Sequence, residues 1–130
     1  MTDRRPLLCL DFDGVLHSYE SGWQGADVIP DPPVPGAMAF LEEAVETFDV
    51  AIYSSRSNQH GGIEAMQAWL KDALMAHLAD RPINPHFKIN LMFRRIQWPL
   101  EKPPAFVTID DRALTFTGDF AEFPMGRRLA

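Results

Sequence analysis

Three polar clusters stand directly behind short apolar runs: Asp11 with Asp13, then Ser54, then Asp110 with Asp111. Leu7 to Leu10 precedes the first, Val50 to Tyr53 the second, and Ala105 to Ile109 the third. If the runs are strands of one open α/β sheet, the clusters meet beyond the strands' carboxyl ends, where such sheets bind ligands. Asp11 and Asp13 are two residues apart, so the strand period sends both carboxylates to the same side. Four carboxylates brought together repel one another unless a cation lies among them. A hard divalent ion with oxygen ligands fits, and Mg²⁺ needs few protein carboxylates. Taken singly, Asp13-Gly14 is turn chemistry, Ser54 a cap or turn residue, and Asp110-Asp111 a loop start. Their recurrence behind successive apolar runs is what points to a site.

The elements between the clusters must do the positioning. Residues 17 to 36 hold Gly22, Gly25, Pro30, Pro32, Pro33, Pro35 and Gly36, which break regular structure and predict a loop. From Ala37 the spacing predicts a helix with Phe40, Leu41, Ala44, Val45 and Phe48 on one face. A second helix is expected after Gly61-Gly62, with Ile63, Met66, Trp69, Leu70, Ala73, Leu74 and Leu78 as its apolar side. Residues 80 to 104 are punctuated by prolines, and Phe87 to Phe93 is read as a third strand. A short strand is expected at Leu114 to Thr117. Strands alternating with helices imply an α/β fold with a mostly parallel sheet flanked by helices.

The chain has 130 residues, a single domain's worth, and its 46% hydrophobic and 23% charged residues are those of a globular protein. The longest apolar run, Ala37 to Leu41, is far short of a bilayer span, and Leu7 to Leu10 is too short for a signal-peptide core. A cytoplasmic protein without a membrane partner is therefore expected. The single cysteine, Cys9, excludes an internal disulfide and a multi-thiolate zinc site, and is expected as a buried small hydrophobe. A net charge of -6 argues against tight sequence-independent binding of duplex nucleic acid. Five of the twelve bases nevertheless fall in residues 81 to 102: Arg81, Lys88, Arg94, Arg95 and Lys102. Such a cluster is more often a solvated face than a ligand site.

The ordered clusters resemble the haloacid dehalogenase superfamily of phosphatases and phosphotransferases. The resemblance rests on Leu8-Cys9-Leu10-Asp11-Phe12-Asp13-Gly14, on the strand ending in Ser54, on Lys102, and on Phe106-Val107-Thr108-Ile109-Asp110-Asp111. It covers residues 7 to about 117 and implies a Rossmann-like core. It also implies that Asp11 is the nucleophile, Asp13 the general acid and base, and Ser54 and a basic residue the groups that hold the transferring phosphoryl; the Lys-Pro position close to the last strand favours Lys102 for that base, with Lys88, Arg94 and Arg95 as alternatives. Mg²⁺ would be held by Asp11, the Asp13 carbonyl, Asp110 and Asp111. Ser55-Arg56 resembles the Ser-Gly-Arg of some family phosphatases, with Ser in place of Gly, and is expected to contact substrate phosphate; a surface ion pair for Arg56 is an equal alternative.

His17, Tyr19 and Trp23 fall where the family has a mobile flap, and an aromatic there more often packs down than touches substrate. No gap is long enough for a separate cap domain, so an open site is expected, one that admits a nucleotide or nucleic-acid end. Arg94 and Arg95 would then meet the rest of an anionic polymer. The alternatives are a phosphoacceptor receiver-like signalling domain, disfavoured because Lys102-Pro103 precedes the last acids, and a non-catalytic binding protein of the same fold.

Overall fold

Runs of two to four residues build a four-stranded sheet in the computed structural model, which describes residues 5–113 and Gly118. Strand β1 (Leu7–Leu10) is followed by helix α1 (Ala37–Thr47) and strand β2 (Asp49–Ile52). Helices α2 (Gly62–Leu78) and α3 (Pro85–Arg94) come next, then β3 (Ile96–Gln97) and β4 (Val107–Ile109). All pairings are parallel and the order is β3-β2-β1-β4. The chain thus builds outward from β1 through β2 to β3, then returns to place β4 on the other side of β1. The order reverses between β1 and β4, and open α/β sheets bind ligands at that crevice. A receiver-like domain would carry its third strand on that side of β1, and this chain does not.

Alternation along the strands sorts their side chains. Leu8, Leu10, Val50 and Ile52 join one core cluster with Leu41, Met66, Leu70, Leu74 and Leu78. Cys9 and Ala51 point to the opposite side and are buried as well, as expected for parallel strands. The Leu70, Leu74 and Leu78 stripe of α2 follows the four-residue step and is fully buried. Each such leucine stabilises the fold by about 1.5–3 kcal/mol. On α1 the buried face is Ala37, Met38, Leu41, Ala44 and Val45; Phe40, expected on it, is 44% exposed.

The expected strand at Phe87 to Phe93 is a helix instead. Asn84 caps it, its side chain accepting from the N–H groups of His86 and Phe87, and Pro85 occupies the first turn. Ile89 and Met92, three apart, are its buried residues, while Phe87 is 64% exposed. The third strand is Ile96–Gln97. The strand expected at Leu114 to Thr117 lies outside the described residues. Among the described residues, no helix is long and apolar enough to cross a membrane.

Candidate active site at the ends of β1, β2 and β4

Register brings the three clusters together. Leu10 is level with Ile52 on one side and Ile109 on the other. The backbone N–H of Asp11 then donates to the Ile109 carbonyl at 3.0 Å, and that of Tyr53 to the Leu10 carbonyl at 3.1 Å. Asp11 and Asp110 are therefore neighbours across the β1–β4 crevice, with Asp111 and Ser54 one residue further. One carboxylate oxygen from each of Asp11, Asp110 and Asp111 lies within 4.8 Å of the others.

Gly14 makes that approach possible. Its φ is +85°, and a Cβ there would lie 2.1 Å from Oδ2 of Asp111. Any side chain at position 14 would expel the Asp111 carboxylate. Asp110 is ordered by its own turn, with Oδ1 accepting from the Arg112 N–H at 2.9 Å.

Burial pushes the Asp11 carboxyl up to about 7. The Phe12 N–H, donated to its Oδ1 at 2.8 Å, works the other way, whereas the Asp110 and Asp111 charges add to the effect of burial. A divalent cation among these oxygens would relieve both burdens. Hard oxygen donors, acceptor-only and clustered, suit Mg²⁺ or a similar ion. The donor set fits a hard divalent cation in general and does not single out Mg²⁺.

Ser54 is 3% exposed and sits at the start of a tight turn. Its Oγ accepts from the Arg56 N–H at 3.1 Å, and its own N–H donates to Ser57 Oγ at 3.0 Å. Ser55 next to it is exposed. The N-terminus of α2 packs against this turn: a Cβ on Gly62 would lie 1.9 Å from the Arg56 carbonyl oxygen. A groove of about 390 Å³, lined by Ser57, Asn58, Gln59, His60, Ile63 and Leu100 among others, continues from the turn. Lys102 is exposed and makes no ion pair among the described residues. Its charge acts on Cys9, whose thiol burial pushes up and Lys102 pulls down. Burial and the neighbouring acids, rather than Lys102, set the state of Asp11.

Arg56 corrects the expectation of a surface ion pair. Its side chain is 0% exposed. Nε donates to Asp13 Oδ2 at 2.9 Å and Nη2 to Asp13 Oδ1 at 3.1 Å. Nη1 reaches the carbonyls of Gly25, Ala26 and Val28 at 2.8–3.1 Å. With its donors directed into the protein, Arg56 is an internal strut between Asp13 and the loop rather than a free phosphate ligand.

His17 is the second partner of Asp13, with Nδ1 2.9 Å from Oδ1. Its other nitrogen, Nε2, accepts from the Asp31 N–H at 3.1 Å. Nε2 therefore carries no proton, and the Nδ1–H donates to Asp13. The Asp31 carboxylate at 3.7 Å from Nε2 is beyond hydrogen-bond reach. The ring is 0% exposed, stacked on Phe12 and edge-on to Trp69. His17 packs down, as expected for an aromatic in this loop, and Trp23 lies over the Arg56 guanidinium at 4.8 Å. The loop itself is tied: Trp69 Nε1 donates to the Asp31 carbonyl, and Ser21 to the Asp31 carboxylate. These contacts tie the loop to α2 and across its own turn.

The other four bases of the 81 to 102 segment lie elsewhere. Arg81 and Lys88 pair with Glu42 of α1. Arg94 and Arg95 end α3 just before β3, where the Val50 N–H meets the Arg95 carbonyl. That level of the sheet is the amino end of the strands, separated from Asp11 by about 13 Å of strand. There Arg94 and Arg95 line a groove of about 300 Å³ with Val45, Glu46, Lys88, Leu91 and Met92. They do not flank the acids, and the route expected for a bound polymer does not follow from their placement.

Comparison with protein-family models, with curated proteins and with solved structures gives no match to this chain.

Proposed function

We propose that the chain is a divalent-metal-dependent phosphohydrolase that uses Asp11 as nucleophile on a phosphomonoester, as its resemblance to the haloacid dehalogenase superfamily implies. The observation that carries this reading is the convergence of Asp11, Asp110 and Asp111 within 4.8 Å at the sheet's switch point. Half-buried Asp11 and Asp110 and exposed Asp111 carry a mutual repulsion that a bound cation would relieve. Asp11, Asp110 and Asp111 would hold Mg²⁺ together with the Asp13 carbonyl. When bound, the ion supplies charge neutralisation that lets Asp11 ionise and an anionic phosphate approach.

The chain's own residues carry the steps. An Asp11 carboxylate oxygen attacks phosphorus, and the ester P–O bond breaks as the aspartyl-phosphate forms. Asp13 gives its proton to the departing ester oxygen. It then takes a proton from the water that attacks the aspartyl-phosphate, which returns Asp11 and releases phosphate. The Ser54 hydroxyl has a proton to donate to a phosphoryl oxygen, since its contact with Arg56 uses it only as an acceptor. Lys102 is assigned to the phosphoryl group by the resemblance alone, since its charge acts on Cys9 of β1 and is not among the influences on Asp11. Nucleotides and nucleic-acid ends remain the proposed substrate class on one ground, the absence of room for a cap between Gly14 and Lys102; Arg56, turned inward to Asp13, lends it no support.

The test is phosphate release with and without Mg²⁺ across 4-nitrophenyl phosphate, nucleotides, sugar phosphates and phosphorylated oligonucleotides. Release from at least one of them that disappears with a chelator is expected. No release from any would refute the hydrolase reading.

A further inference from the structure

Asp13 meets its two partners unevenly, and the unevenness singles out one oxygen. Oδ1 faces His17 Nδ1 at 2.9 Å, Arg56 Nη2 at 3.1 Å and Arg56 Nε at 3.3 Å. Among the described residues, Oδ2 faces Arg56 Nε alone, at 2.9 Å. A carboxylate oxygen has two lone-pair sites, so Oδ1 is saturated with donors while Oδ2 keeps acceptor capacity. A forked guanidinium fixes the plane of the carboxylate, and the His17 donor fixes which oxygen is which. Both partners are fully buried and held in turn by the loop: Arg56 by the carbonyls of Gly25, Ala26 and Val28, His17 by the Asp31 N–H.

We infer that His17 and Arg56 are positioning residues for proton transfer: they lock Asp13 so that Oδ2 alone exchanges a proton with the leaving group and with water. The inference rests on the hydrolase reading and adds to it the two residues on which the acid and base step depends. It also gives the loop a role, since its carbonyls and the Asp31 N–H keep the two partners in place. Positioned acid–base groups contribute about 10²–10⁴-fold to a rate, so displacing one by a fraction of its range is measurable. The effect should fall on substrates whose leaving oxygen needs a proton and spare those whose leaving group departs unaided.

The experiment compares kcat/KM for phenyl phosphate and 4-nitrophenyl phosphate, which differ little in shape and greatly in leaving-group basicity. The ratio of the two, taken on one preparation, is independent of how much of that preparation is folded. His17→Phe keeps an aromatic ring beside Phe12 and Trp69 but removes the donor. It should lower the phenyl phosphate value about tenfold more than the 4-nitrophenyl value. His17→Asn, whose amide N–H can stand where Nδ1–H stood, should restore most of the parent ratio. Arg56→Lys keeps the charge but not the fork, and should shift the ratio the same way as His17→Phe. An unchanged ratio in both His17→Phe and Arg56→Lys would overturn the inference, as would a His17→Asn ratio no better than that of His17→Phe. Failure of the parent to cleave any phosphomonoester would instead remove the hydrolase reading, and this inference with it.

Discussion

Arg56 Nε lies 2.9 Å from Asp13 Oδ2, across 43 positions of sequence, and the guanidinium is wholly out of solvent. That pair joins the turn after β2 to the turn after β1 and, through three carbonyls, to the loop that follows. Breaking a buried pair by removing one partner leaves the other charge unmatched. Arg56→Met should therefore cost about 3 kcal/mol, near the bottom of the usual range because Asp13 keeps His17 and some solvent. Urea unfolding of parent and variant measures it. A loss below about 1 kcal/mol would mean the pair holds little.

Gly14 is the point where backbone freedom and metal geometry meet. Gly14→Ala places a methyl where Asp111 Oδ2 now sits and strains a backbone at φ +85°. Stability should fall by about 1–2 kcal/mol from the backbone alone. The Mg²⁺ concentration for half-saturation should rise at least about tenfold, as displaced ligand geometry usually costs. Calorimetric Mg²⁺ titration decides it, and an unchanged midpoint would exclude Asp111 from the ligand set.

The strand ends were legible in the sequence because each apolar run is followed at once by its polar cluster, and burial sorts the two without help from the rest of the chain. The convergence of Asp11 with Asp110 followed from the same pattern. Helix α3 was not read from the sequence, since Phe87, Leu91 and Phe93 are apolar side chains not among its buried residues, and they mask the Ile89 and Met92 step. The Asn84-Pro85 cap was the available signal. The Asp13–Arg56 contact had no local signature at all: it arises only when register sets the ends of β1 and β2 side by side.

Glu42 ties α1 to α2 and to the residues beyond it, accepting from Arg81 Nη2 at 2.8 Å and lying 3.1 Å from His77 Nε2. The Arg81 hydrogen bonds, against the opposing effect of burial and with help from His77 and Lys88, hold its carboxyl down at about 2. A depressed carboxyl contributes stability above its unfolded value near 4.5 and loses it as pH falls through the folded value. Glu42→Gln should thus lower stability by about 1 kcal/mol or less at pH 7, given the exposure of Arg81. The gap between parent and variant should close between pH 4.5 and about 2. Thermal melts across that window are the check; a gap constant with pH would assign the effect to packing.

Arg94 and Arg95 sit at the amino end of the sheet, away from the acids. Replacing both with Ala should change KM for a phosphorylated oligonucleotide and for an aryl phosphate by the same small factor, under about twofold, at fixed salt. A selective rise for the oligonucleotide would show that a bound polymer wraps to that end of the molecule.

The central claim is that Asp11 attacks phosphorus. Phosphate release by Asp11→Asn, measured with saturating Mg²⁺ against the substrate the parent cleaves best, tests it most directly. The amide keeps the shape and removes the nucleophilic charge, so the rate should fall by about 10³-fold or more while the melting temperature holds or rises, since a buried carboxylate has been neutralised. An Asp11→Asn protein that turns over at the parent's rate would contradict the account.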